Sequence, residues 1–143
     1  MNEPTSVALL DDDGIAKLLR ASKRIAVVGA SSNPMRPSHG VFRSLMLAGY
    51  ECIPVNPRET EVWGVPAVAT LADAASSGPI DIVDVFRRAD LTEDVAREAV
   101  AVGAGALWLQ LGIVNWESAR IAAQGGLEVV MDRCTAIEIR RIR

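Results

Sequence analysis

The stretch Ile25-Ala26-Val27-Val28-Gly29-Ala30-Ser31-Ser32-Asn33-Pro34-Met35-Arg36-Pro37-Ser38 decides how this chain is read. Its first four residues are apolar without a break, the pattern of a parallel strand buried on both faces. Small residues follow. From Ser38 to Ala48 the residues Val41, Phe42, Leu45 and Met46 recur at helical spacing, with Ser38 suited to an N-cap and Gly49 to a left-handed stop. Strand, small-residue loop and helix together open a βαβ unit. The loop is a candidate anion site, because free amide N–H groups and the positive end of the helix converge there.

Outward from this unit the alternation continues. Strand-like runs are expected at 25–28, 52–55, 80–85, 106–109 and 127–131, spaced by roughly 25 residues as βαβ units require. Helical patterns fill the gaps. Residues 91–102 place Val95, Ala99 and Val102 on one face and Glu93, Asp94, Arg97 and Glu98 on another. Residues 116–124 precede Gly125 and Gly126, and a leading helix is expected at about 11–22 with Ile15, Leu18 and Leu19 inward. The fold expected is α/β: one Rossmann-like doubly wound domain over 1–143, a five-stranded, mainly parallel sheet of order 3-2-1-4-5, with helices on both faces. In such sheets ligands sit beyond the carboxyl ends of the strands, where the strand order reverses, here between the first and fourth strands.

Composition bounds the partners. A chain of 143 residues that is 50% hydrophobic suffices for one core, and a net charge of −3 offers no general attraction for nucleic acid or an anionic membrane. Any anion site is therefore local. Residues 1–13 lack the pattern of a secretory signal and no apolar run is long enough to span a bilayer, so a cytoplasmic location is expected. Cys52 and Cys134 lie far apart with no CxxC or Cys/His cluster, which leaves reduced thiols and no metal site as the expectation.

The loops after the strands hold the candidate binding residues. After the first strand these are Gly29, Ala30, Ser31, Ser32, Pro34, Arg36 and Ser38. The run departs from GxGxxG, and an ordinary βα loop with Ser38 as a cap is the plainer reading of it alone. After the second come Asn56, Pro57 and Arg58. A cation at this place suits a phosphorylated ribose, whereas an acidic residue would suit two free hydroxyls, and Glu59 and Glu61 lie nearby. After the third, Phe86, Arg87 and Arg88 combine a ring for adenine stacking with guanidinium groups for phosphate, set against the alternative of a core Phe86 and solvated arginines. After the fourth come Trp108, Gln110 and Gly112. Gln110 could meet a pantetheine amide, while Trp108 suits the core and Gly112 a turn.

No acid–base or nucleophilic constellation emerges. The single histidine, His39, falls on the outer side of the first long helix without a positioned partner, and Cys134 is a free cysteine after the fifth strand. A binding module, not an enzyme, is expected.

Taken together, GASSNPMRPSHG (29–40), VNPRETEVWGVP (55–66), DVFRR (84–88), LWLQLGIVN (107–115) and VVMDRC (129–134) occur in order, each at its strand. In this the chain resembles the stand-alone bacterial CoA-binding protein family, and the amino-terminal part of the succinyl-CoA synthetase α subunit. The resemblance implies binding of coenzyme A or an acyl-CoA. It implies contacts at Gly29, Ala30, Ser31 and Ser32, at Arg58 in place of a phosphate-binding lysine, and around Trp108 to Gln110, with Phe86 and Arg87 on the adenine side. Family members often carry a histidine soon after the Cys134 region, where this chain reads Ile137-Glu138-Ile139. The synthetase's phosphohistidine belongs to a later domain that a chain of this length does not contain, so binding transfers and catalysis does not. Two rival readings remain at this point: an NAD(P)-binding oxidoreductase or redox-sensing module, and a subunit of an acyl-CoA synthetase-type enzyme. A homo-oligomer or a partner enzyme chain is compatible with either.

Overall fold

Strand β1 (Arg24–Val28) is buried at every residue and lies between β2 (Glu51–Val55) and β5 (Ile82–Val85), pairing with both in parallel. The structure, a computed structural model, describes residues 7–142. Residues 1–6 and 143, the ends of the expected 1–143 domain, lie outside the described residues. Strands β6 (Ala106–Leu109) and β7 (Glu128–Met131) extend the sheet, again in parallel, to the order β2-β1-β5-β6-β7. Counted as five strands this is 2-1-3-4-5, not the expected 3-2-1-4-5.

The physical reason for the correction lies in Pro54. Its carbonyl accepts the Val68 N–H at 2.9 Å, away from β1, so its missing amide also faces outward. A proline has no ladder hydrogen to give and belongs on an edge strand, which the second strand is here and would not have been in the expected order. The reversal therefore falls between β1 and β5, the first and third of the five.

Helices cover both faces. Alternation along the strands sends Val28, Val83, Val85, Leu107, Leu109 and Val129 toward α3 (Leu71–Ala75), α4 (Thr92–Ala101) and α5 (Trp116–Gln124). Ile25, Val27, Ile82, Trp108 and Val130 point the other way, toward α1 (Asp12–Ala21), α2 (Pro37–Leu47) and α6 (Thr135–Arg141). Helix ends follow local chemistry. The Asp11 carboxylate accepts the Gly14 N–H at 2.8 Å, and Asn115 caps α5 by accepting from Ser118. Helix α2 departs from expectation: Arg36 occupies the N-cap and Pro37 opens the first turn, where its preset φ and lack of an N–H cost nothing. Ser38, one residue in, turns its hydroxyl back to donate to the Gly29 carbonyl at 3.2 Å.

Four elements went unread in the sequence. Strands β3 (Glu61–Val62) and β4 (Val65–Pro66) form an antiparallel hairpin whose turn, Trp63 and Gly64, has positive φ at both residues. Helices α3 and α6, of five and seven residues, are the other two. The hairpin docks on α2: the Trp63 indole donates to the His39 carbonyl at 2.8 Å, the two rings stack at 4.4 Å, and the Arg43 guanidinium lies 5.5 Å from the Trp63 ring.

Candidate functional site

Gly29 marks the place where the chain parts. From β1 it turns through α2 to β2, while from β5 it turns through α4, on the opposite face, to β6. The backbone at Gly29 has φ +86°, and a Cβ there would lie 2.3 Å from the Phe86 carbonyl oxygen, so no other residue fits. Phe86 in turn donates its N–H to Val28 and Gly29 donates to Val55, which ties the ends of three strands into one floor.

Above this floor runs a cleft of about 1090 Å³. Its first wall is Gly29, Ser31, Asn33, Arg36, Pro37, Ser38 and Val41. Asn56, Pro57, Arg58 and Glu59 follow from β2, and Phe86, Arg87, Arg88 and Leu91 from β5. The far wall is Gln110, Leu111 and Ile113 after β6 with Cys134 and Ile137 after β7. Because β2 and β6 are three strand spacings apart, the cleft spans roughly 14 Å of sheet edge. A smaller cavity of about 350 Å³ sits beside Ser22, Lys23 and Gly49, where β1 and β2 begin, away from these convergent groups.

The cleft is electrostatically graded. Arg36, Arg58 and Arg87 face it with no ion pair among the described residues, and Arg88 pairs only with exposed Asp90 at 3.3 Å. Asn56 aims Arg58: its carbonyl oxygen accepts the Arg58 N–H at 3.0 Å while its amide donates to Ala30 at 2.9 Å. The β6 and β7 side, by contrast, carries no acidic or basic side chain on the cleft wall among the described residues. Thus a chain of net charge −3 presents a basic half-cleft joined to a neutral, largely apolar one.

Five expected binding residues lie off the wall. Ala30 is wholly buried and offers only its carbonyl to Asn56, and Pro34 sits in an exposed turn that Asn33 closes by accepting the Met35 N–H. Ser32 gives its N–H to the Glu59 carboxylate at 2.9 Å. Trp108 is core, with its indole donating to the Arg133 carbonyl at 2.7 Å, and Gly112 donates to Asp132 at 2.7 Å. His39, expected on an exposed face, is instead half-buried: its Nδ1 lies 3.0 Å from the Ser31 carbonyl and its ring rests on Trp63.

Glu59 is the residue whose role went unread. Hydrogen bonds from the Ser32 amide, then from the Ser32 and Ser31 hydroxyls, hold its carboxyl below the usual carboxylate range. The loop after β1 thus does hold an anion, here the protein's own. Asp84 is the other such residue: wholly buried on β5, its carboxyl is pushed up to about 8 by burial, and one oxygen meets the Thr135 hydroxyl at 3.0 Å. Cys52 is buried as well, and its thiol is pushed up to about 12.

Residues 23–140 match the model of a family described as the CoA binding domain. The chain belongs to that family. Among its relatives is the uncharacterized protein YneT of Bacillus subtilis (strain 168), 46% identical over 123 residues that cover 86% of this chain and 90% of YneT. The solved structure of cell-free ID.343 from Thermus thermophilus is 40% identical with a TM-score of 0.87, covering 94% of this chain and all of that one (100%). A dinucleotide-forming acetyl-coenzyme A synthetase from Ca. Korarchaeum cryptofilum shares the fold at 22% identity and a TM-score of 0.69, with 81% of this chain matching 27% of that enzyme. The family and the Rossmann-like α/β fold agree with the resemblance read from the five loops.

Proposed function

We propose that this chain binds coenzyme A or an acyl-CoA along the cleft, phosphates toward Arg36, Arg58 and Arg87 and pantetheine toward Gln110 and Cys134. The observation that carries the reading is the grading of one continuous cleft from three unpaired guanidinium groups to a neutral, apolar wall. Coenzyme A has that polarity, with a phosphorylated nucleotide at one end and an uncharged arm at the other. The cleft volume of about 1090 Å³ lies just above the range of about 300–1000 Å³ usual for smaller ligands. The loop has the chemistry to hold an anion, since the Ser31–Ser32 turn already binds the Glu59 carboxylate.

The protein acts in this reading by binding and not by catalysis, in the bacterial cytoplasm. Supporting this, His39 is committed to Ser31 and Trp63, and no helix among the described residues is long and apolar enough to cross a membrane. Arg58 at the mouth of β2 favours a ligand with a phosphorylated ribose over NAD. Calorimetric titration with CoA, NADPH and NADH tests the assignment. CoA is expected to bind; binding of NADPH with no heat from CoA at high micromolar concentration would defeat the reading in favour of a nicotinamide-binding module, and hydride transfer would defeat the non-catalytic role.

A further inference from the structure

Gln110 lines the cleft yet is only 4% exposed. A primary amide can present either an acceptor or two donors, and its partners decide which. Here the choice is forced. The Thr135 N–H, which can only donate, lies 3.0 Å from Gln110 Oε1, and the Thr135 hydroxyl lies 2.9 Å from the same oxygen. Oε1 is therefore turned to the start of α6, and Nε2 is left without a hydrogen-bond partner among the described residues. Nor is Nε2 sealed off, since the one sealed, unpartnered side-chain polar atom among the described residues is Asp84 Oδ1.

The lock has a second part. Thr135 Oγ has one proton but two oxygens within reach, Gln110 Oε1 at 2.9 Å and Asp84 Oδ2 at 3.0 Å. Asp84 sits between Val27 and Trp108 in the sheet and makes no ion pair among the described residues. As a neutral carboxyl it donates to Thr135 Oγ, Thr135 donates to Gln110, and every proton in the chain has one place to go. A group so held loses little freedom when it meets a ligand.

On the CoA reading above, we propose that Asp84 and Thr135 are positioning residues that hold Gln110 as an obligate donor, and that Gln110 takes a carbonyl oxygen on the pantetheine or thioester limb of the ligand. The partner must accept a hydrogen bond, and with Leu111, Ile113 and Ile137 on the same wall and no cation there among the described residues it is uncharged. The phosphates are excluded, because the arginines that suit them lie toward the β1, β2 and β5 side. Amide and thioester carbonyls share the required chemistry.

The test is calorimetry on the full chain with CoA, acetyl-CoA and 3′-phospho-ADP, which keeps the nucleotide and lacks pantetheine. Gln110→Glu retains both oxygen contacts to Thr135 and replaces the donor with an acceptor. It is expected to weaken CoA and acetyl-CoA by about tenfold or more while leaving 3′-phospho-ADP within about twofold. A larger loss for acetyl-CoA assigns the thioester carbonyl, and equal losses assign a pantetheine amide. Wild-type binding of both ligands by the variant, or an equal loss for 3′-phospho-ADP, overturns the proposal. Thr135→Val is expected to show a smaller loss confined to the same two ligands, restored by Thr135→Ser; an unaltered Thr135→Val overturns the positioning role. A wild-type chain that binds none of the three ligands would strike down the CoA reading itself.

Discussion

The Glu59 carboxylate accepts the Ser32 N–H at 2.9 Å, so the turn after β1 is occupied by an anion supplied from the loop after β2. A ligand phosphate arriving at Ser31, Arg36 and Arg58 meets this negative charge on the same wall. Glu59→Gln removes the charge and keeps an acceptor for Ser32, so CoA is expected to bind several-fold tighter, with the gain shrinking as salt rises. Weaker binding by the variant in calorimetry would show that the carboxylate organises the loop and does not oppose the ligand.

Arg58 is held by the Asn56 turn at the mouth of β2, unpaired and facing the cleft. If it meets the ribose phosphate, Arg58→Ala should weaken CoA by roughly tenfold or more and dephospho-CoA much less. Paired titrations measure the difference. Equal losses would place the guanidinium on the diphosphate instead.

Asp84 makes stability depend on pH. Folded, the carboxyl keeps its proton to about pH 8, whereas unfolded it titrates near its ordinary 3.8. Between those values the unfolded chain binds fewer protons, so this group lowers stability as pH rises, by up to about 1.4 kcal/mol per pH unit. Asp84→Asn removes the dependence. The variant's urea midpoint is expected to gain on the wild type between pH 5 and pH 8, and a difference that stays constant with pH would contradict a buried neutral acid.

Arg24, 6% exposed at the start of β1, donates to the Ala74 and Gly78 carbonyls at 3.0 and 2.7 Å, the Ser77 hydroxyl at 2.6 Å and Glu51 at 3.1 Å. It staples the loop between α3 and β5 at the end of the sheet away from the cleft. Arg24→Met should cost about 3 kcal/mol of stability by stranding those acceptors, with CoA affinity unchanged. A matching loss of affinity would show that the two ends of the sheet are coupled.

The pattern of these effects reflects what could be read from the chain and what could not. Apolar-rich runs, several of them continuous, announced all five sheet strands to within two residues, because a strand buried on both faces is mostly apolar. Gly49, and Gly125 with Gly126, marked helix ends by local rules that need no tertiary contact. Strand order is different, since it depends on which edge accepts the third strand, yet Pro54 carried the information: a strand with a missing amide belongs at an edge. The cleft followed from topology, and most residues named after β1, β2 and β5 line it. Ser32 and Trp108 do not, because the Ser32 N–H is given to the Glu59 carboxylate and the alternation of β6 turns Trp108 into the core. Asp84, Thr135 and Gln110 lie on three elements up to 51 positions apart, and no period or spacing joins them before the chain folds.

Backbone amide shifts recorded while CoA is titrated into the isotope-labelled protein test the central claim most directly. The account predicts perturbations concentrated at residues 29–38, 56–59, 86–88 and 110–113, along one edge of the sheet. Shifts clustered instead around Ser22, Gly49 and Tyr50 at the opposite end, or none at saturating CoA, would contradict it.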